Sequence, residues 1–355
     1  LGLRAIATAR YSFGFYGAKI CSFMNIVGCV GFGTVNVVVA GQLISAVSGY
    51  KLTLSVGCII IGVLSYFVSL FGFKIIHTYE KYSWIVSLII LCILTGQIWT
   101  KVDPSLPPTS TGVANKGAFL SFAAFNFAAC SSWGAIAADY YCNYTSDTPK
   151  WKIYTLTTAG ISIPSAFIAF LGACLSNIAH NIIPRIDPEA SSYAHPELAE
   201  AFKLHGLGGI LNASYHPAGL SKLCVTFLAF SVVGNNVAVI YSCGLCTQLL
   251  GHFFQPVPRL FWSFLTVSAI TLCAVIGREN LSTIVSNLIG LLGYWSVSYA
   301  IIIILEDKVF RRRSGYNLEV WNSPSGCPWG IAAMVTIIVS YFAGGVTGMA
   351  QSIYI

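Results

Sequence analysis

Charged residues are scarce in this chain, and their scarcity is the first constraint on its class. Asp, Glu, Lys and Arg make up 9% of the 355 residues, whereas soluble globular proteins carry roughly 25%. Hydrophobic residues make up 56%, so a water-exposed surface could not be covered with charge. The composition excludes an ordinary soluble fold and indicates a protein embedded in a lipid bilayer.

Charge is absent altogether from nine long runs. Each run has about 18 residues or more, enough for a helix to cross roughly 30 Å of hydrocarbon. A charged side chain at the bilayer centre costs roughly 2.5–3.5 kcal/mol, so the runs predict membrane spans rather than buried helices of a soluble protein. They are 20–50, 52–73, 83–100, 117–138, 153–178, 223–251, 260–277, 281–305 and 328–355.

The runs also lack the alternation of polar and apolar residues that a transmembrane barrel needs, since Leu88 to Leu94 are continuously apolar. We therefore predict an all-α polytopic membrane protein with a single transmembrane domain over residues 1–355. The chain opens at Leu1 without Met, and together with the odd number of spans this favours an N-terminally incomplete domain.

Common catalytic motifs are missing as well. Neither H-E-x-x-H nor G-x-S-x-G occurs, and no predicted span holds two carboxylates. Cys243 and Cys246 form a C-x-x-C without a second pair or a nearby His, so we interpret them as small buried hydrophobes rather than metal ligands. The chain is predicted not to be an enzyme and to hold no metal or cofactor.

Lys and Arg are unevenly divided when the loops are assigned alternately to the two sides of the bilayer. The side that carries Arg4, Arg10 and the cluster 311–313 collects most of them, so the N-terminal segment is predicted to be cytoplasmic. These loops account for the formal net charge of +7. No nucleic-acid partner is implied.

Amides and aromatics are present inside four of the spans, where each polar group needs a partner or a wet cavity. One reading is ordinary hydrogen bonding between helices, and the other is a shared polar site for a flat, neutral ligand such as a nucleobase, an amide or a small heterocycle. The polar and aromatic side chains in these spans are Asn25, Thr34, Asn36, Gln42, Asn126, Ser131, Ser132, Trp133, Asn235, Asn236, Asn287, Tyr294 and Trp295, and Asp139 directly follows the fourth span. Asp139 lies near the predicted cytoplasmic boundary, which suits either an end-of-helix role or a proton relay.

Several of these segments, in order and at similar spacing, resemble the fungal purine-cytosine permeases of the nucleobase:cation symporter family. The likeness covers nearly the whole chain. Residues 2–4 and 9–14 resemble the loop between the family's second and third spans, so the first two spans would be lacking. The segments that resemble the third, sixth, eighth and tenth spans are 31–42, 133–140, 231–242 and 287–295.

This resemblance implies a LeuT-like inverted-repeat core and import of cytosine, adenine, guanine or hypoxanthine by proton symport with alternating access at the plasma membrane. Carried over by position, Asn36 would hydrogen-bond the base, Trp133 would stack on it and Phe32 would fill an aromatic position that is often Trp. Gln42, Asn235 and Asn236 complete the expected substrate site, while Asp139 has a proton-coupling or structural role.

One departure concerns the eighth family span. The fungal pattern N-N-I-P-N reads Asn235-Asn236-Val237-Ala238-Val239 here, without the Pro and without the last Asn. The change favours the alternative hypothesis, a non-transporting or degenerate paralogue that acts as a membrane sensor or has no activity.

Overall fold

The computed structural model describes residues 2–70, 73–105, 111–142, 144–145, 147–180 and 195–354. Within these ranges all regular secondary structure is helical. The α-helices, in chain order, are α1 Ala5–Thr8, α2 Arg10–Val47, α3 Leu54–Leu70, α4 Phe73–Ile98, α5 Val113–Ser131, α6 Ala137–Tyr141, α7 Lys150–His180, α8 Pro196–Ser214, α9 Ala218–Leu249, α10 Arg259–Gly277, α11 Leu281–Leu305 and α12 Ile331–Tyr354.

The predicted spans correspond to the long apolar helices. Among the residues that the structure describes, six helical stretches are long and apolar enough to cross a membrane, and the one over Arg259–Phe310 contains both α10 and α11. Two further apolar stretches, α3 and Ile331–Thr347 of α12, account for the remaining predicted spans. The prediction of a polytopic helical membrane protein is confirmed.

Helix α2 is the centre of the bundle. It packs against α3, α8, α9, α10, α11 and α12, and its contact with α9 is the most extensive between any two helices in the described ranges. Val37 and Val38 of α2 meet Ile61 of α3, Ile240 of α9 and Ile270 of α10 in one buried cluster. Because α2 and α9 are fixed against each other in this way, their remaining faces can position a site.

The fourth predicted span is interrupted rather than continuous. Helix α5 ends at Ser131, a single 3₁₀ turn covers Ser132–Ala135, and the short helix α6 follows. The Ser132 hydroxyl donates a hydrogen bond to the carbonyl of Ala129 at 2.7 Å, a back-bonding contact that bends helices. Trp133 therefore lies on a 3₁₀ turn rather than on a continuous α-helix.

The predicted start of the third span lies too far along the sequence. The predicted start at 83 follows the charged residues Glu80 and Lys81, whereas helix α4 begins at Phe73. Glu80 therefore lies in a helix that is long and apolar enough to cross a membrane, although it falls outside the nine predicted runs.

The segment between the predicted spans 153–178 and 223–251 contains a helix, α8, over Pro196–Ser214. Helix α8 begins with Pro196 at its first position and Glu197 in its first turn, both of which favour helix starts. A break at Gly206, where φ is +62°, divides it. Leu198 is fully buried, so this segment packs onto the bundle instead of extending into solvent.

The start of the chain, predicted from the resemblance as a loop, contains helical turns and a sharp break. The backbone is non-helical at Gly14, where φ is +74°, and the carbonyl oxygens of Pro328 and Trp329 lie where a Cβ would stand. Nη1 of Arg10 also donates to Oδ1 of Asn322 at 2.6 Å. The N-terminal segment is thus held against the connection between α11 and α12.

Candidate functional site

A cavity of about 180 Å³ lies between α2, the interruption after α5, α9 and α11. Three of the predicted site residues line it, namely Phe32 from α2, Trp133 from the interruption and Asn235 from α9. All of its lining side chains in the described ranges are uncharged. The cavity therefore suits a small neutral ligand.

Aromatic rings form a large part of its wall. Trp133 stacks on Tyr140 with ring centroids 5.9 Å apart and an interplanar angle of 23°. Trp295 of α11 also lines the cavity and stacks on Tyr299 at 5.1 Å and 17°. Stacked neighbours fix the orientation of both indoles, so each presents a rigid face to a flat ligand.

Polar groups lie between these rings. Asn25 of α2, Ser132 of the interruption, Asn235 of α9 and Ser296 of α11 all line the cavity. Ser296 is 1% exposed, and its hydroxyl lies 3.4 Å from that of Ser131. The cavity therefore offers donors and acceptors from four sides, an arrangement that suits a heterocycle with several polar edge atoms.

A second, larger cavity of about 1210 Å³ lies between α4, α6, α7 and α9. Trp133 and Asn235 line this cavity as well as the smaller one. Glu80 of α4 is among its lining residues. Since two side chains border both spaces, they form the partition between a narrow and a wide compartment.

The adjacent amides of α9 point in different directions, as neighbouring residues on a helix must. Asn235 faces the cavities, whereas Asn236 is 1% exposed and donates from Nδ2 to the Ser65 hydroxyl of α3 at 3.3 Å. Oδ1 of Asn236 has no hydrogen-bond partner among the described residues. The structure therefore separates the two residues that the sequence analysis had grouped.

Asn36 lies one helical turn beyond Phe32 on α2. It is not among the residues that line the two cavities. Its Nδ2 is buried and finds no acceptor in the part of the chain that the structure describes. A buried donor is costly to leave unsatisfied, and this cost marks the Asn36 amide as a group available to a partner.

Gln42 lies further along α2, against the break in α8. Its Oε1 accepts a hydrogen bond from the backbone N–H of Leu207 at 3.1 Å, and its side chain occupies the space where a Cβ on Gly206 would lie. Neither cavity includes Gln42. In this structure the residue holds the kink of α8.

Asp139 is buried at the start of α6, with 3% of its surface exposed. The Ser242 hydroxyl of α9 donates to its Oδ2 at 2.5 Å, and the backbone N–H of Ala5 donates to its Oδ1 at 3.3 Å. The carboxyl group therefore joins α6, α9 and the N-terminal segment. This is more than the end-of-helix role considered from the sequence.

Four polar or aromatic lining residues lay outside the substrate site carried over from the resemblance, namely Asn25, Ser132, Trp295 and Ser296. The sequence analysis had named the first three among the side chains within the spans and had missed Ser296. Asn25 precedes Phe32 by seven residues, a spacing that places two side chains on one helix face, so periodicity within α2 could have identified it. Trp295 and Ser296 depend on how α11 docks against α5. No signal within a single helix reports that docking.

Comparison with known proteins places this site in context. A family model described as permeases for cytosine/purines, uracil, thiamine and allantoin matches residues 1–354. A vitamin B6 transporter of Saccharomyces cerevisiae is 33% identical over 88% of this chain and 52% of its own length. The relatives are named permeases or transporters rather than enzymes.

Purine-cytosine permeases are also similar over the whole chain. One from Emericella nidulans is 30% identical over 100% of this chain and 67% of its own length. Another from Saccharomyces cerevisiae is 30% identical over 100% of this chain and 65% of its own length. The chain thus spans about half to two thirds of these relatives. It belongs to the family of permeases for cytosine/purines, uracil, thiamine and allantoin.

Proposed function

We propose that this chain is a secondary active transporter that imports nucleobases, among them cytosine, adenine, guanine and hypoxanthine. The observation that carries the proposal is the uncharged cavity between Phe32, Trp133 and Asn235. Aromatic faces stack on a nucleobase with roughly 1–3 kcal/mol per base, and an amide matches its edge. The names of the related purine-cytosine permeases support the same substrate class.

The proposed binding mode places the base between the rings of Phe32 and Trp133, with Asn235 at its edge. Asn36 is a further proposed contact, because its buried Nδ2 lacks an acceptor in the described structure and lies one turn from Phe32. Asn236 and Gln42 support the helices that carry these residues, through Ser65 and the α8 backbone respectively.

Alternating access is proposed to use the partition between the two cavities. Trp133 sits on the interruption between α5 and α6, where the backbone is not held by a continuous helical hydrogen-bond ladder. Rotation of this short element would move Trp133 from one compartment toward the other. A base bound beside it would then be released on the opposite side of the membrane.

Proton coupling is proposed to involve a carboxyl group within the membrane. Asp139 joins three segments through its hydrogen bonds, and Glu80 lines the wide compartment. A carboxyl group that gains a proton loses acceptor capacity, so protonation of Asp139 would weaken the contacts with Ser242 and Ala5. We place the transporter in the plasma membrane, with its N-terminal segment cytoplasmic.

Vitamin B6 is a second candidate substrate. The relative that bears this name is 33% identical over 88% of the chain, and a pyridine ring is flat and polar at its edge like a nucleobase. The positions of Ala238 and Val239, where the fungal permease pattern has Pro and Asn, are consistent with a changed substrate.

Uptake in a yeast strain that lacks its own purine-cytosine and vitamin B6 transporters tests the proposal. Radiolabelled cytosine, adenine and pyridoxine are supplied in acidic and in neutral medium, with and without a protonophore. We expect uptake of a nucleobase that falls at neutral pH and with the protonophore. Pyridoxine uptake alone would support the second candidate. No uptake of any compound by chain located at the cell surface would support the non-transporting paralogue.

A further inference from the structure

Asn25 is an additional amide on the wall of the narrow cavity. It lies about two turns before Phe32 on α2, with Cys29 between them on the same face, and all three residues line the cavity. Asn25 is 5% exposed. Seven residues of helix advance by about 10 Å, so Asn25 and Phe32 contact different parts of the space.

The hydrogen-bond partner of this amide is a thiol. Nδ2 of Asn25 donates to Sγ of Cys246 at 3.1 Å, and Cys246 is 2% exposed. The position of Cys246 is fixed in turn, because the Ser22 hydroxyl donates to its backbone carbonyl at 2.7 Å. The contact therefore joins α2 to α9 through an amide that lines the cavity.

A thiol is both a weak donor and a weak acceptor. If the Asn25 side chain turns over, its carbonyl oxygen can accept from the thiol, and its NH₂ group can face the cavity instead. A carbonyl or carboxylate partner would hold the amide in one orientation, because it can only accept. The thiol allows both orientations at small cost.

We infer that Asn25 is a substrate-contacting residue whose amide can hydrogen-bond the edge of the heterocycle in either of its two orientations. Cys246 is the positioning residue that permits the amide to change between them. The inference rests on the proposed function and deepens it. A cavity lined by such an amide accepts a ring with an amino group and a ring with an oxo group at the same position. Adenine and hypoxanthine are such a pair.

Binding of tritiated adenine and of tritiated hypoxanthine to the full purified chain tests this inference. We expect Asn25→Ala and Asn25→Ser to weaken binding of both ligands by about 2- to 10-fold, the effect of one lost hydrogen bond. Cys246→Ser keeps a group that donates and accepts, so it should keep both affinities and their ratio. Cys246→Val removes the partner and should weaken both.

Asn126→Ala is the matched control, because the amide of Asn126 bonds to Phe122 within its own helix and lies outside both cavities. Each affinity is referred to the amount of monodisperse protein. Loss of only one ligand in the Asn25 variants, or no loss of either, would overturn the inference. A wild-type chain that binds neither base would contradict the proposed function instead. If Asn25→Ala does not fold, Asn25→Ser, with its smaller change in polarity, decides.

Discussion

The Ser242 hydroxyl donates a 2.5 Å hydrogen bond to Asp139, so α9 is joined directly to the short helix that follows the Trp133 turn. Ser242 has no exposed surface. Its neighbour Cys243 belongs to a buried cluster with Cys29, which lines the narrow cavity. This contact therefore connects the wall of the narrow cavity with the N-terminal segment, which also bonds to Asp139.

Removing the hydroxyl should weaken this connection. We expect Ser242→Ala to lower the free energy of unfolding by about 1–3 kcal/mol, because a buried carboxyl group loses a donor. Thermal unfolding of the solubilised protein measures the effect. Thr336→Ala is the control, since that exposed hydroxyl bonds only within α12. Equal stability of the two variants would contradict a role for the Ser242–Asp139 contact.

Stacking on Trp133 should contribute strongly to binding. Trp133→Ala is expected to weaken nucleobase affinity by about 5- to 150-fold, which corresponds to roughly 1–3 kcal/mol of lost stacking. Equilibrium binding of a radiolabelled base measures it. Trp151→Ala serves as the matched substitution, because Trp151 is 71% exposed and outside both cavities. Similar affinities in the two variants would refute the proposed binding mode.

The two adjacent amides of α9 should respond differently. Asn235→Ala is expected to lower substrate affinity by about 2- to 10-fold through a lost hydrogen bond, with little effect on stability. Asn236→Ala should preserve affinity and reduce stability by about 0.6 kcal/mol, the average for a hydrogen bond between membrane helices. Binding and thermal unfolding are measured on both. The reverse pattern would show that Asn236, not Asn235, faces the ligand.

Gln42 should affect α8 rather than the ligand. In Gln42→Ala the N–H of Leu207 loses its acceptor, so we expect faster hydrogen exchange at this amide and a stability loss of about 1 kcal/mol. Substrate affinity should stay unchanged. Gln248→Ala, whose amide bonds to Val257 instead, controls for the loss of a glutamine. A loss of affinity specific to Gln42→Ala would return this residue to the substrate site.

The spans could be predicted because each follows from the absence of charge over a membrane thickness. The interruption at Ser132–Ala135 could not, since no Pro occurs there and its small residues are also common in continuous membrane helices. The helical structure of α8 could not be predicted from its sequence, because Pro, Glu and His are frequent in loops. The burial of Leu198 depends on the surface that α2 and α9 provide.

Within the site, residue type was easier to predict than direction. Phe32, Trp133 and Asn235 were expected in a cavity and lie in one. Whether Asn236 or Asn25 faces that cavity depends on the rotation of α9 and α2 about their axes, which is fixed by contacts with α3 and α11. Glu80 was left outside the predicted spans because the third span was taken to begin after the neighbouring Lys81.

The partition between the two compartments has a consequence for how such a protein can change. Because Trp133 and Asn235 border both spaces, a substitution at either residue would, under the proposed alternating access, alter substrate binding on one side of the membrane and substrate release on the other. Substrate affinity and the rate of substrate release could then not be adjusted independently at these two positions. Substitutions that change substrate preference without slowing transport are expected instead at residues that border a single cavity, such as those of α11.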